Sequence, residues 1–362
     1  MTGRLTLLMT LDAVGGVWRY AMDLASTLRA HGVETVFLGF GPAPSPAQAA
    51  EAQAIGTLDW AGAPLDWLVS SPSDLAAVPG LIDDAARRHG ADLIHLNLPS
   101  QAAGLETERP VVAVSHSCVT TWFRAVRGSG LPAGWEWHGT LNGSGLGRAD
   151  VVVAPSRSHA AALTACYGPV RTLRVVHNAT SAPVGRTIGQ PFVIASGRWW
   201  DEGKNGATLD AAAENANWPV RLLGPTRGAN GAAFTPSHAT AEGELPHAAA
   251  VALMQDAGIF VSPSVYEPFG LAVAEAARMG LPLVLSDIPT FRELWSDAAL
   301  FFPPRDAEAL TALLDELACD PGERRRLGEV AQIRSRHFTP EAQGQAMLSL
   351  YTDLVRQPLP AR

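Results

Sequence analysis

Short apolar runs alternate along the chain with longer stretches rich in alanine and leucine. In the first half the runs stand at 5–9, 35–38, 93–96, 111–114, 151–154 and 174–176. In the second half they stand at 192–195, 220–223, 259–261, 283–285 and 300–302. A run such as Val111-Val112-Ala113-Val114 shows no polar alternation, so both faces of the strand must be covered. That is the mark of a parallel strand between two layers of helices. The intervening stretches keep apolar residues at helical spacing, as Val17, Ala21, Leu24 and Leu28 do. Strand and helix in regular alternation predict βαβ units and a doubly wound sheet.

Both periods break between 179 and 190, where Thr180-Ser181-Ala182-Pro183 and Gly185 intervene, and a second series restarts at Pro191. The expectation is an α/β chain of two Rossmann-like domains facing across a cleft. They would be an N-terminal acceptor domain over 1–180 and a C-terminal donor domain over 190–335. The remaining 336–362 would hold a helix that follows Phe338-Thr339-Pro340 and is free to pack back on the first domain. The 362 residues suit two domains, at roughly 150 residues each. Ligands of open α/β sheets bind outside the carboxyl ends of the strands, so candidate chemistry is sought there.

Composition narrows the partners. With 27 basic and 35 acidic side chains the net charge is −8, which argues against nucleic acid, whose binders carry a basic stripe. The run Arg324-Arg325-Arg326 reads as a solvated helical face. Three separated cysteines, Cys118, Cys166 and Cys319, supply neither a disulfide framework nor a CxxC metal spacing. Asp12 and Gly15-Gly16 follow the first apolar run where a leader cleavage site would need small neutral residues. No run approaches the ~18 apolar residues of a membrane span. A cytoplasmic protein is expected, with weak peripheral membrane contact left open. One count stands apart: of the 27 basic residues a single one is lysine, Lys204.

Three constellations fall at strand ends. Gly15-Gly16-Val17 lies between the first strand and its helix, where a glycine pair either serves a turn with positive φ or lets a phosphate approach the helix amides. Arg198 and Lys204 lie on the segment leaving the first strand of the second half. A bidentate fork and a compact point charge together suit a diphosphate. Glu267-Pro268-Phe269-Gly270-Leu271 then opens a helix, expected from about Gly270 to Met279, that carries Glu275. Its neighbours Ala274, Ala276 and Ala277 are small enough to leave room for a ligand, and the Gly270 and Leu271 amides point out of its start.

Gly-Arg-x5-Lys followed by Glu-x7-Glu resembles the family-4 retaining glycosyltransferases of the GT-B fold. The resemblance covers nearly the whole chain and includes Gly15-Gly16-Val17 and Ala154-Pro155-Ser156. It also includes Val176-His177-Asn178-Ala179, which departs from the Pro-Asn-Gly common in relatives. It implies that Arg198 and Lys204 bind the donor diphosphate, that Glu275 holds the nucleotide ribose and that Glu267 holds the hydroxyls of the transferred sugar. The Gly270 and Leu271 amides would face the phosphate or sugar, Phe269 would belong to the donor-binding set, Leu245 would meet the base through its backbone, and Gly15 and Gly16 would close on the diphosphate. His116, after the strand at 111–114, resembles the family's active-site histidine facing the sugar. The implied catalytic set is His116, Glu267, Arg198 and Lys204.

The expected activity is transfer of a hexose-type sugar from a UDP- or GDP-linked donor to a glycan, lipid-linked or small-molecule acceptor. No separate cofactor and no metal are expected, since the chain lacks the Asp-x-Asp of metal-dependent GT-A enzymes and two cations with a helix start can take the charge. Two other readings use the same residues: a sugar-nucleotide epimerase of the same fold, and a non-catalytic nucleotide-sugar-binding subunit. Trp122, Trp135 and Trp137, with Arg124 and Arg127, could stack on an acceptor or serve core packing. Oligomeric state is not readable.

Overall fold

The computed structural model describes residues 5–185 and 189–356. Outside them lie the first four positions of the expected N-terminal domain, 186–188 of the expected linker and the tail 357–362. The chain divides into two compact units, Met1–Ala179 with Pro340–Arg362, and Thr180–Thr339.

The first unit runs β1 (Leu5–Asp12), α1 (Gly16–Arg29), β2 (Val33–Phe40), α2 (Pro46–Ile55), β3 (Thr57–Trp60), α3 (Val78–Arg88) and β4 (Leu93–Leu96). It continues with β5 (Val111–Val114), α4 (Val119–Arg127), α5 (Glu136–Arg148), β6 (Val151–Ala154), α6 (Arg157–Tyr167) and β7 (Leu173–Val175). The strands form one sheet in the order β3-β2-β1-β4-β5-β6-β7, parallel throughout, with Leu7 of β1 paired to Thr35 on one side and Leu93 on the other. Residues of β1 alternate between its faces, as a strand's period of two requires. Leu7, Met9 and Leu11 pack in the layer of Ala21, Leu24 and Leu28, and Leu8 packs in the layer of Ile82, Ala85 and Ile94. Local chemistry sets the helix starts. Ser45 and Gln48 form a reciprocal capping box ahead of Pro46. The Ser156 hydroxyl accepts from the His159 amide at 3.0 Å and so starts α6.

The second unit runs β8 (Gln190–Ser196), α7 (Gly206–Ala213), β9 (Val220–Leu223), β10 (Thr240–Gly243), α8 (His247–Asp256) and β11 (Ala257–Ser262). Then come α9 (Leu271–Arg278), β12 (Leu283–Ser286), α10 (Pro289–Trp295), β13 (Leu300–Phe302), α11 (Ala307–Cys319) and α12 (Pro321–Ser335). Its parallel sheet has the order β10-β9-β8-β11-β12-β13. Helix α12 lies so close beneath α9 that a Cβ on Gly328 would sit 2.1 Å from the Gly280 carbonyl oxygen.

The last helix, α13 (Pro340–Arg356), returns to the first unit. Met347 and Tyr351 are buried there beside Leu24 and Leu28. Gly344 permits this approach, since a Cβ at that position would meet the Thr27 side chain at 2.5 Å.

Two strands escape the apolar pattern. β3 and β10 read Thr-Leu-Asp-Trp and Thr-Ala-Glu-Gly, and both stand at sheet edges with no fully buried residue. An edge strand with one face near solvent needs no apolar run.

Candidate functional site

In each sheet the strand order reverses beside its first strand, between β1 and β4 in one and between β8 and β11 in the other. At such a switch point the loops leaving neighbouring strands diverge and open a crevice at the carboxyl ends. The residues that the sequence singled out leave these strands or lie next to them.

In the second unit Gly197 and Arg198 follow β8, and Lys204 closes a short 3-10 turn over Glu202–Lys204. Asp201 builds the turn: its carboxylate accepts the Gly203 amide at 2.9 Å and faces the Arg198 guanidinium at 3.4 Å. The guanidinium also lies over the Trp200 ring, 5.3 Å from its centroid. The Lys204 stem runs across Gly197, where a Cβ would lie 3.4 Å from the lysine Cδ. Gly224 at φ +113° admits the Gly197 carbonyl. The Lys204 ammonium pairs with the Glu267 carboxylate, and both side chains are largely covered. The loop carrying Glu267 is docked on the same turn, because Val265 donates its amide to the Gly203 carbonyl at 2.9 Å.

Gly270, at φ +91°, is the residue before α9, and no side chain caps this helix. A left-handed φ favours glycine here. The uncapped first-turn amides, beginning at Leu271, carry the positive end of the helix dipole. Glu275 stands half-buried in the middle of the same helix. Leu245 is half-buried after β10 and packs its side chain on the core.

Two expectations about this segment are corrected. Phe269 is 2% exposed, its ring set edge-on to Phe338 at 5.4 Å between centroids. Its side chain belongs to the core, which leaves only backbone to offer a donor. Ala274, Ala276 and Ala277 leave no room for a ligand, since all three are fully buried in the core cluster containing Val273 and Phe291. They are small because α9 is packed closely on its core-facing side.

In the first unit Gly15 precedes α1 at φ −172°, an extended conformation open to any residue. Gly16 begins the helix and is exposed. No positive φ is found at either position, so the turn reading of this pair falls. What the glycines provide is a helix start without side chains and without a side-chain cap. His116 follows β5. Its Nε2 lies 2.8 Å from Asn97 Oδ1, and the Tyr20 ring stands edge-on at 4.4 Å. Burial pushes its pKa down to about 3, helped by the neighbouring His95 and His159.

The sequence reading missed Asn97, His95 and Tyr351 behind His116, and Asn205 behind Lys204. A usable signal was present for His95 and Asn205. His95 interrupts a four-residue apolar strand in which every position is buried. Asn205, at φ 55°, has the left-handed backbone that asparagine tolerates better than most residues. The aromatic group on and after α4 is a ladder of rings. Phe123 lies 5.1 Å from Trp122 and 5.7 Å from Trp135, Trp137 stacks on His138 at 3.6 Å, and Trp135 is 42% exposed. Among the described residues no group of three His, Cys, Asp or Glu is placed to hold a metal ion, and no helix is long and apolar enough to cross a membrane.

Comparison with known proteins agrees with this fold. Residues 14–182 match the family model described as Glycosyltransferase Family 4, and residues 234–334 match Glycosyl transferases group 1. Glycogen synthase of Mycobacterium tuberculosis is 37% identical over 94 residues, which are 25% of this chain and 23% of that protein. The chain thus spans less than a quarter of the length of the first curated relatives it matches. Among solved structures, sucrose-phosphate synthase from Thermosynechococcus elongatus superimposes with a TM-score of 0.80 at 20% identity, over 97% of this chain and 99% of that one. Anabaena HepE, solved in complex with UDP-glucose, gives 0.75 at 16% identity, over 96% and 100%.

Proposed function

We propose that this chain, which belongs to glycosyltransferase family 4 and has the GT-B fold, transfers a hexose-type sugar from a UDP- or GDP-linked donor to a hydroxyl acceptor without a metal ion. The observation that carries the reading is the Lys204–Glu267 pair beside the uncapped start of α9. When the glycosidic bond to the diphosphate breaks, negative charge builds on the departing oxygen. Fixed cations and helix amides lower the barrier most when they are aimed at that developing charge. Lys204, Arg198 and the Leu271 amide supply those groups. Glu267, freed when the diphosphate takes its lysine, accepts hydroxyls of the sugar, and Glu275 those of the ribose. On the family resemblance, Gly15 and Gly16 are assigned to the diphosphate and His116 to the sugar.

The reaction retains anomeric configuration by a front-face route. The carbon–oxygen bond to the diphosphate breaks, a bond to the acceptor oxygen forms on the same face, and the acceptor proton passes to the leaving oxygen. The solved complex of Anabaena HepE with UDP-glucose supports a nucleotide-sugar donor. We read the chain as cytoplasmic on its three free cysteines, since a reducing compartment leaves thiols unpaired.

The test is a thermal-shift panel of UDP- and GDP-sugars, followed by release of nucleoside diphosphate with the stabilising donor. Ligand bound only by the native state raises Tm. The expected result is one donor class that raises Tm in the wild type and fails to do so in Lys204→Ala. No shift with any donor, or an equal shift in Lys204→Ala, overturns the reading.

A further inference from the structure

The polar groups behind His116 form a continuous buried chain. Asn97 follows β4, next to β1 in the sheet. Its Nδ2 donates to the Thr10 main-chain carbonyl at 2.6 Å, and its own amide N–H donates to the Thr10 hydroxyl at 2.9 Å. That hydroxyl passes its proton toward Gln101 Oε1 at 2.6 Å. These bonds fix which way the Asn97 amide points. Its oxygen faces His116 Nε2 at 2.8 Å and His95 Nε2 at 3.1 Å. On the far side His95 Nδ1 lies 2.6 Å from the Tyr351 hydroxyl of α13, 256 positions along the chain. His95 and Tyr351 are fully buried, and Asn97 is nearly so.

Donor and acceptor chemistry then leaves one arrangement. An amide oxygen can only accept, so both Nε2 atoms must carry hydrogen. A neutral imidazole has a single N–H. His95 Nδ1 is therefore a lone pair and accepts a hydrogen bond from the Tyr351 hydroxyl, while His116 Nδ1 is a lone pair as well. We propose that Asn97, His95 and Tyr351 are positioning residues that hold His116 in its Nε2–H tautomer, so that His116 presents Nδ1 as a hydrogen-bond acceptor to a substrate hydroxyl. The proposal rests on the reading of His116 as a sugar-facing residue.

The ionisable groups beside the two imidazoles agree with neutral rings. Tyr20 of α1 stands against both, His159 of α6 adds no negative charge, and Tyr351 is held un-ionised by burial. Burial also holds His95 far below its ordinary pKa, at about 4. Burial keeps both rings uncharged, and the neutral asparagine between them brings no negative charge to offset it. An aspartate there would bind imidazolium and turn His116 into a donor at both nitrogens.

The test is imidazole nitrogen NMR on the full chain labelled at histidine, with His116→Ala and His95→Ala assigning the two signals. At pH 7 both rings of the wild type are expected to show protonated Nε2 and bare Nδ1. A protonated Nδ1 on His116, or rapid averaging between tautomers, overturns the proposal. Asn97→Asp is expected to raise the proton affinity of His116 at least 100-fold. An unshifted His116 in folded Asn97→Asp also overturns it. UDP-glucose hydrolysis by His116→Ala tests the underlying reading separately. Unchanged turnover there, beside the expected tautomer, removes the sugar role and leaves the tautomer lock standing.

Discussion

The side-chain amide of Asn205 donates to the Pro263 carbonyl at 2.9 Å, which ties the turn carrying Lys204 to the loop that leads to Glu267. The same amide donates to the Pro304 carbonyl at 2.6 Å, and its oxygen accepts the Thr208 hydroxyl at 2.9 Å. One side chain thus joins the loops after β8, β11 and β13. Asn205→Gly keeps the left-handed backbone and loses the bonds; Asn205→Ala loses both. The glycine variant is expected to cost about 1–2 kcal/mol and the alanine variant about 1 kcal/mol more, from a net hydrogen-bond contribution near 1 kcal/mol and the left-handed penalty. Urea midpoints order the three proteins. An alanine variant as stable as the glycine one would show that the backbone conformation at 205 carries no strain.

The lone lysine and its glutamate form one unit, so their variants should not act independently. Lys204→Ala is expected to lose roughly 10²–10³ in kcat, the scale of one group aimed at developing charge. Glu267→Gln, which leaves the ammonium in place, should chiefly raise the donor KM. The double variant should be little worse than Lys204→Ala alone, because groups that act together are not additive. Losses that multiply in the double variant would mean that the two residues serve separate steps. Steady-state kinetics of nucleoside diphosphate release decides between them.

Much of this site could be read in the sequence because its ingredients are local. Arg198 and Lys204 leave one strand and Glu267 the neighbouring one, and a parallel sheet delivers both to the same edge whatever the loops do. The alanines of α9 misled because small residues in a helix signal close packing as readily as open space, and only burial on the core side separates the two. Phe269 misled for the same reason, since a motif gives a residue's place and not the direction of its side chain. Tyr351 was out of reach. Its partner His95 is 256 positions away, and α13 arrives there only after the whole second unit has been completed. The edge strands β3 and β10 were missed because a half-covered strand carries no continuous apolar run.

Acid should weaken the first unit over a defined window. Burial holds His95 and His159 at about 4 and His116 at about 3, all below the ordinary value of 6.5. Between the folded and unfolded values the unfolded chain binds more protons, so stability rises with pH there. Stability is therefore full above the ordinary histidine range and falls as pH drops from 6.5 towards 4. Each histidine contributes up to about 1.4 kcal/mol per pH unit within the window. Asp59, whose pKa is also lowered, acts with the same sign, but only below the ordinary carboxylate value of 3.8. Urea midpoints followed by tryptophan fluorescence should drop between pH 6.5 and 4.5, by less in His159→Asn. A midpoint that stays flat to pH 4.5 would place these rings in water in the native state.

Two helical glycines should respond to alanine with opposite signs. Gly147 in α5 has open space around the position of a Cβ and no positive φ. Gly147→Ala is expected to stabilise by about 0.5–1 kcal/mol, since alanine loses less chain entropy in a helix. Gly328 in α12 has the same helical backbone, but its Cβ would lie 2.1 Å from the Gly280 carbonyl oxygen and 3.6 Å from the Pro282 nitrogen. That obstacle is main chain and cannot rotate away. Gly328→Ala must push α12 off α9 and open the core around Ala276 and Ala277, at a cost of about 1–3 kcal/mol on the scale of overpacking. Because Glu275 and the uncapped start of α9 belong to the same helix, the displacement should also weaken donor binding, read as a smaller thermal shift with the nucleotide sugar. Equal and opposite changes in Tm with no change in that ligand shift would show that α9 holds its place without α12.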